Sequence, residues 1–162
     1  MSKKIHFEQG DIFDSGAEAL VNPVNCVGVM GAGLALEFKR RWPAYFAHYV
    51  AACRSGELRP GRIHEYWTNS EEKPDVIFSF PTKMDWQLPS CLEDVDAGLA
   101  ALVVRFTVSN KRFGSPGILS IAVPALGCGL GGLDWTEVEP LMVRYLGVLA
   151  ELGVDVAIYP PQ

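Results

Sequence analysis

Apolar residues along this chain recur with two different periods, and the switches between them lay out the elements. Residues 5–9 open as a strand that Gly10-Asp11 breaks. Residues 19–21 form a short continuous apolar run, the mark of a buried strand, closed by Asn22-Pro23. A loop carrying Gly28, Gly31 and Gly33 follows. From Leu34 the spacing becomes helical, with Leu34, Phe38 and Trp42 on one face. Pro43 stops that helix and starts another, which carries Tyr45, Phe46, Tyr49, Val50 and Cys53. Beyond a Pro60-Gly61 turn, residues 62–67 and 76–80 read as strands separated by a polar stretch. Ser90 and Glu93 have the spacing of a capping box, opening a helix with Leu92, Val95, Leu99, Leu102, Val103 and Phe106 on its apolar face. A polar loop over residues 110–117 leads to a strand at 118–123. Asp134 and Glu137 repeat the capping-box spacing ahead of Val138, Leu141, Met142, Tyr145, Leu149 and Leu152. Gly153 ends that helix, and residues 154–159 form a last strand stopped by Pro160-Pro161.

Strands alternating with helices predict an α/β layered fold around a largely parallel sheet. Ligands of such sheets bind beyond the carboxyl ends of the strands. Both glycine-rich segments follow a predicted strand and precede a predicted helix, so both are expected at that edge. The 162 residues suit one compact domain with a sizeable core. Hydrophobic residues at 49% against 20% charged exclude a disordered chain. No apolar run approaches the roughly 20 residues of a membrane span, and the N-terminus lacks the apolar segment of a secretory signal. A cytoplasmic protein without a membrane partner is expected. Cys26, Cys53, Cys91 and Cys128 form no CxxC pair, and His6, His48 and His64 are scattered, so free thiols and no metal site are expected. The net charge of −5 argues against gripping a nucleic acid by broad phosphate neutralisation. It leaves room for a pocket that takes one modified nucleotide. The one tight basic run, Lys39-Arg40-Arg41, reads as a solvated helix end.

The second glycine loop is Gly127-Cys128-Gly129-Leu130-Gly131-Gly132. Glycines at this density let the backbone approach a ligand and aim successive N–H groups at it, and a helix start nearby adds positive partial charge. A diphosphate is the natural guest. The loop is neither a dinucleotide fingerprint, which belongs after a first strand, nor a Walker A loop, which needs a following Lys-Ser/Thr. The first loop adds Asn22 and Asn25, whose amides can donate to and accept from sugar hydroxyls. Lys83 directly follows the apolar strand at 76–80 and a Pro-Thr pair, which places it at the same sheet edge, with Trp86 three residues on as a shield.

Together, Asn22-Pro23-Val24-Asn25, Gly31-Ala32-Gly33-Leu34-Ala35 and Gly127-Cys128-Gly129-Leu130-Gly131-Gly132-Leu133-Asp134-Trp135 resemble the macrodomain family, from Gly10-Asp11-Ile12 through to Tyr159. The segment Phe80-Pro81-Thr82-Lys83-Met84-Asp85-Trp86 is the most discriminating. It is similar to the branch containing the human terminal ADP-ribose protein glycohydrolase, and within it to bacterial antitoxins that remove ADP-ribose from DNA. The resemblance implies a three-layer α/β/α sandwich with a mixed, largely parallel central sheet. Residues 1–162 would form a single macrodomain, either whole or as the N-terminal domain of a longer protein. It implies ADP-ribose as ligand and product, with no cofactor. The substrate it implies is ADP-ribosylated single-stranded DNA, thymidine-linked, with a cognate ADP-ribosyltransferase toxin as partner.

The resemblance also assigns parts. Asp11 accepts from the adenine amino group beside Ile12, and Tyr159 stacks on the adenine. Asn22 and Asn25 lie near the distal ribose. Gly31, Ala32, Gly33 and Leu34, with Gly127, Cys128, Gly129, Leu130, Gly131 and Gly132, enclose the diphosphate. Thr82 leads to Lys83, the essential catalytic residue, with Asn22 holding the ribose. In the human enzyme such a lysine attacks the anomeric carbon and forms a covalent intermediate, chemistry open to a neutral amine. That enzyme carries an aspartate where this chain has Gly131, so its acid/base partner is missing here. Gln87 stands where the antitoxins often have arginine. Removal of ADP-ribose from acidic protein side chains, deacylation of O-acyl-ADP-ribose, and binding without turnover are the competing functions.

Overall fold

The computed structural model describes residues 2–112 and 117–162. Within them the chain forms β1 (Ile5–Phe7), β2 (Ala19–Val24), α1 (Gly33–Arg41), α2 (Pro43–Ser55), β3 (His64–Trp67), β4 (Val76–Pro81), α3 (Leu92–Arg112), β5 (Ser120–Pro124), α4 (Trp135–Glu151) and β6 (Asp155–Tyr159). A 3-10 turn at Ile12–Asp14, not foreseen from the sequence, follows β1 and is capped by the Asp11 carboxylate. The strands make one sheet in the order β1-β6-β5-β2-β4-β3. Every neighbouring pair is parallel except β3 with β4. The expected mixed, largely parallel sheet is therefore present.

Side chains alternate across the strands and so build two apolar layers. Val21, Phe78, Val123 and Ile158 point to α3 and α4. Leu20, Ile77, Ala122 and Ala157 point to the 3-10 turn, α1 and α2. Each fully buried large side chain contributes roughly 1.5–3 kcal/mol, and the three-layer sandwich follows from covering both faces. Packing is close where α3 crosses β4. A Cβ on Gly98 would sit 2.6 Å from Phe80 Cε1, so only glycine fits that helix position.

Local chemistry sets the helix ends. Pro43 occupies the first turn of α2, and Gly56 closes that helix at φ +78°. Asp134 caps α4, its carboxylate accepting from the Thr136 N–H at 2.9 Å. The basic run ends α1, where the helix dipole favours it. Two expectations need correction. Ser90 does not cap α3, which starts at Leu92; its N–H donates instead to Gly131 O at 3.0 Å, and its buried hydroxyl has no partner. The loop expected at 110–117 begins later, because α3 runs through Asn110; residues 113–116 lie outside the described residues. Asn110 Nδ2 donates to Ile118 O, and Ile118 N–H donates to Asn110 Oδ1, which ties the helix to the approach to β5.

The sheet divides at its centre. β2 pairs with β4 over its whole length, from Ala19↔Val76 to Val24↔Pro81. It pairs with β5 only at Ala19↔Ile121 and Leu20↔Ala122. Beyond that point the two strands part, and the gap opens at their carboxyl ends. The strand also runs past the expected stop at Asn22-Pro23. Carbonyls of Glu18 and Val24 accept from the β4 side, so the odd-numbered residues between them face β5. Pro23, which has no N–H, thus faces the gap and interrupts no ladder.

Candidate active site

The gap between β2 and β5 is the floor of a cleft of about 600 Å³. Pro23 and Val24 line it from one strand and Pro124 and Ala125 from the other. Three loops close over it, each continuing one of the three central strands.

The first loop leads from β2 into α1. Asn25 shapes it: its Oδ1 accepts from the N–H groups of Val27 and Val29, and its Nδ2 donates to Val29 O at 2.8 Å. Tyr49 of α2 donates to the same Oδ1 at 2.7 Å. The chain then enters α1 through Ala32, an N-cap with no side-chain hydrogen bond. Gly33, at φ +58°, turns the first N–H groups of the helix toward the cleft, which Gly33, Leu34 and Ala35 line. An uncapped helix start presenting free donors and the positive end of the dipole is an anion site.

The second loop leads from β5 into α4. It is held by Cys128 N–H to Ala125 O, Gly132 N–H to Gly129 O and Leu133 N–H to Gly127 O. Among the described residues the amides of Gly129, Leu130 and Gly131 donate to nothing, and all three residues line the cleft. Ser90 backs this loop. A Cβ on Gly131 would strike Ser90 Oγ and lie 2.6 Å from Gly127 O. A side chain at position 131 therefore points into Ser90, which is why none is present.

The third segment leaves β4. Thr82 N–H donates to Val24 O at 2.9 Å, and Met84 O accepts from Cys26 N–H at 2.9 Å. These two bonds bracket Lys83, which is half-buried and, among the described residues, is the only charged one lining the cleft. The peptide that carries it is thus pinned to the end of β2 on one side and to the first loop on the other.

The cleft gathers Asn25, Gly31, Ala32, Gly33, Leu34, Thr82, Lys83, Gly127, Gly129, Leu130 and Gly131 from the residues singled out in the sequence. Cys128 and Gly132 belong to the second loop but do not line it. Asp11 and Tyr159 line a neighbouring groove of about 560 Å³. Tyr159 at the end of β6 is registered against Pro124 of the cleft. Burial, with Glu8, Asp11 and Asp14 nearby, pushes the Tyr159 phenol up from its ordinary value. Ile12 is buried beneath, against α1 and α2.

Asn22, expected near the ribose, is fully buried and is not among the residues that line the cleft. The alternation of β2 turns it toward α2, where its Nδ2 donates to the Tyr45 hydroxyl at 3.0 Å. That hydroxyl shares a 2.6 Å hydrogen bond with Ser79 Oγ. Burial pushes the Tyr45 phenol up to about 12, so it stays protonated. Asn22 Oδ1 has no partner. Val29, Pro124 and Ala125 join the lining without having been foreseen; apolar residues in a loop carry no sequence signal of function.

Two adjacent loops with free backbone donors, set at a break in a parallel sheet, form the kind of cleft that suits a nucleotide. The sequence profile of the Macro domain matches residues 21–142, and the chain belongs to that family. It is 45% identical over 157 residues to the DNA ADP-ribosyl glycohydrolase of Mycobacterium tuberculosis, covering 97% of this chain and 42% of that protein. Among solved structures it is similar to the macrodomain of Mycobacterium tuberculosis DarG, with a TM-score of 0.91, 44% identity and 99% of each chain covered. It also matches Thermosipho africanus DarTG in complex with ADP-ribose, with a TM-score of 0.83 and 37% identity over 96% of this chain and 42% of that one. The chain spans about two-fifths of the length of the curated relatives it matches first.

Proposed function

We propose that this chain binds ADP-ribose in the cleft and hydrolyses the bond joining it to a base of single-stranded DNA, thymidine by resemblance. The observation that carries the reading is the meeting, in one cleft, of an uncapped helix start, free amides of a glycine loop and a single pinned lysine. The diphosphate lies between Gly31–Gly33 and Gly129–Gly131, where backbone donors meet its charge. The adenosine extends over Pro124 toward Tyr159 and Asp11. The distal ribose then reaches Lys83. The Mycobacterium tuberculosis and Thermus aquaticus relatives are named DNA ADP-ribosyl glycohydrolases, which supports the DNA substrate.

In the reaction the bond from the anomeric carbon to the base nitrogen breaks. Lys83 Nζ attacks that carbon as the base departs, and the proton that Nζ gives up on forming the new C–N bond goes to the base nitrogen. Water then displaces the lysine, releasing ADP-ribose and restoring the amine. Asn22 acts from beneath, by fixing β2 through Tyr45 and Ser79, and does not touch the sugar. Asp134 caps α4 and is not available as the acid. A Thermosipho africanus relative is a fusion of a DNA ADP-ribosyl transferase with the glycohydrolase. That supports a cytoplasmic antitoxin role opposite a cognate transferase, with this domain as part of a longer protein.

The test is incubation with an ADP-ribosylated single-stranded oligonucleotide and, in parallel, glutamate-ADP-ribosylated protein. Release from DNA is expected, and Lys83→Ala is expected to abolish it while ADP-ribose still binds by calorimetry. Turnover of the protein substrate alone would replace the DNA reading. Undiminished turnover by Lys83→Ala would remove the lysine from the mechanism.

A further inference from the structure

The mouth of the cleft is apolar and open. Val29, Trp86 and Leu130 line it from three different segments while exposing 39%, 54% and 81% of their surface. Met84 and Leu88, beside Trp86 in sequence, are exposed as well. Single exposed apolar residues are ordinary, but several gathered around one opening mark a surface that a partner covers. The charges at this opening narrow the choice of partner. Among the described residues Lys83 is the only charged one lining the cleft, and the chain carries −5 overall. A strand held by its phosphates needs several cations there. A base held by its face needs one flat aromatic group.

We propose that Trp86 is the stacking platform for the modified nucleobase as it leaves the cleft mouth. The inference rests on the DNA reading above and deepens it. Trp86 is placed for this by the turn after Lys83, in which Leu88 N–H donates to Asp85 O and Gln87 N–H to Asp85 Oδ1. The same segment is anchored at Met84 to the first loop. Lys83 and Trp86 are therefore presented by one short segment that lines the cleft, and the base bonded to the anomeric carbon lies between them. Stacking of this kind accepts any base face and depends little on salt.

The test compares wild type, Trp86→Ala and Trp86→Phe on the ADP-ribosylated oligonucleotide and on free ADP-ribose. Trp86 is more than half exposed, so both variants are expected to melt as wild type does. Trp86→Ala is expected to raise KM for the oligonucleotide on the order of 10- to 100-fold, the usual loss for one stacked base, with kcat less affected. Trp86→Phe should recover most of it, and ADP-ribose affinity by calorimetry should stay at the wild-type value. An unchanged KM in Trp86→Ala overturns the inference and leaves the DNA reading standing. An equal loss of ADP-ribose affinity also overturns it, since Trp86 would then serve the ligand common to all substrates. So does a larger loss on ADP-ribosylated protein than on DNA. A wild-type protein that leaves the oligonucleotide intact overturns both readings.

Discussion

Replacing Gly131 by alanine tests whether the second glycine loop is held to its place by Ser90. The added methyl points away from the cleft and into Ser90, striking its hydroxyl and lying 2.9 Å from its Cβ and 2.6 Å from Gly127 O. A contact of 2.6 Å must open to about 3.4 Å before it is ordinary, so the backbone gives by ~0.8 Å or the fold bears the strain. Overpacking of this kind costs about 1–3 kcal/mol. A displacement near 1 Å at groups that position a substrate costs on the order of 100-fold in rate. Gly131→Ala is therefore expected to weaken ADP-ribose binding and to lower kcat/KM by roughly 10- to 100-fold, with a measurable fall in melting temperature. Gly147→Ala is the control: it lies in α4, outside the cleft lining, and a Cβ there meets nothing within 4 Å. It should bind and turn over almost as wild type. Adding Ser90→Gly to Gly131→Ala removes two of the three contacts and should restore part of the loss. Wild-type affinity and turnover in Gly131→Ala, or equal losses in the two single variants, would refute the reasoning.

Three further outcomes are expected. Gly98→Ala, which in an exposed helix would stabilise by about 0.5–1 kcal/mol, should here destabilise by about 1–3 kcal/mol, because the methyl overpacks against the Phe80 ring; urea denaturation gives the sign. Tyr45→Phe leaves Asn22 Nδ2 and Ser79 Oγ buried without their partner and should cost about 1–3 kcal/mol in the same assay; no loss would show that the buried network is relaxed by other means. The two hydrogen bonds from Thr136 hold the Asp134 carboxyl below its ordinary value. Its contribution is then present above the unfolded carboxylate pKa and lost as pH falls through the lowered one. Asp134→Ala should unfold earlier than wild type at pH 7 and converge with it in strong acid; a gap that persists undiminished at low pH would remove the cap as its cause.

Much of this arrangement was legible because it depends on local spacing. Alternating apolar periods located all six strands and four helices, and glycine density between strand and helix located both anion loops. What spacing could not show was direction. Asn22 and Asn25 sit three apart in one motif, yet β2 turns the first down toward Tyr45 and the loop keeps the second at the cleft wall. Ser90 had the spacing of a cap, but its neighbour in space is Gly131, which lies 41 positions further along the chain. Pro23 looked like a strand end because the gap that tolerates it is a property of two strands and invisible in one. The 3-10 turn at Ile12–Asp14 was too short to have a period.

The parting of β2 from β5 also bears on what the rest of the molecule is free to become. The loops that line the cleft are carried by β5, β2 and β4, three consecutive strands at the centre of the sheet. The outer strands β1 and β3 contribute nothing to the cleft lining. The cleft is therefore set from within: its walls belong to the middle of the sheet, and a change along the outer edge of β3 reaches them only through β4.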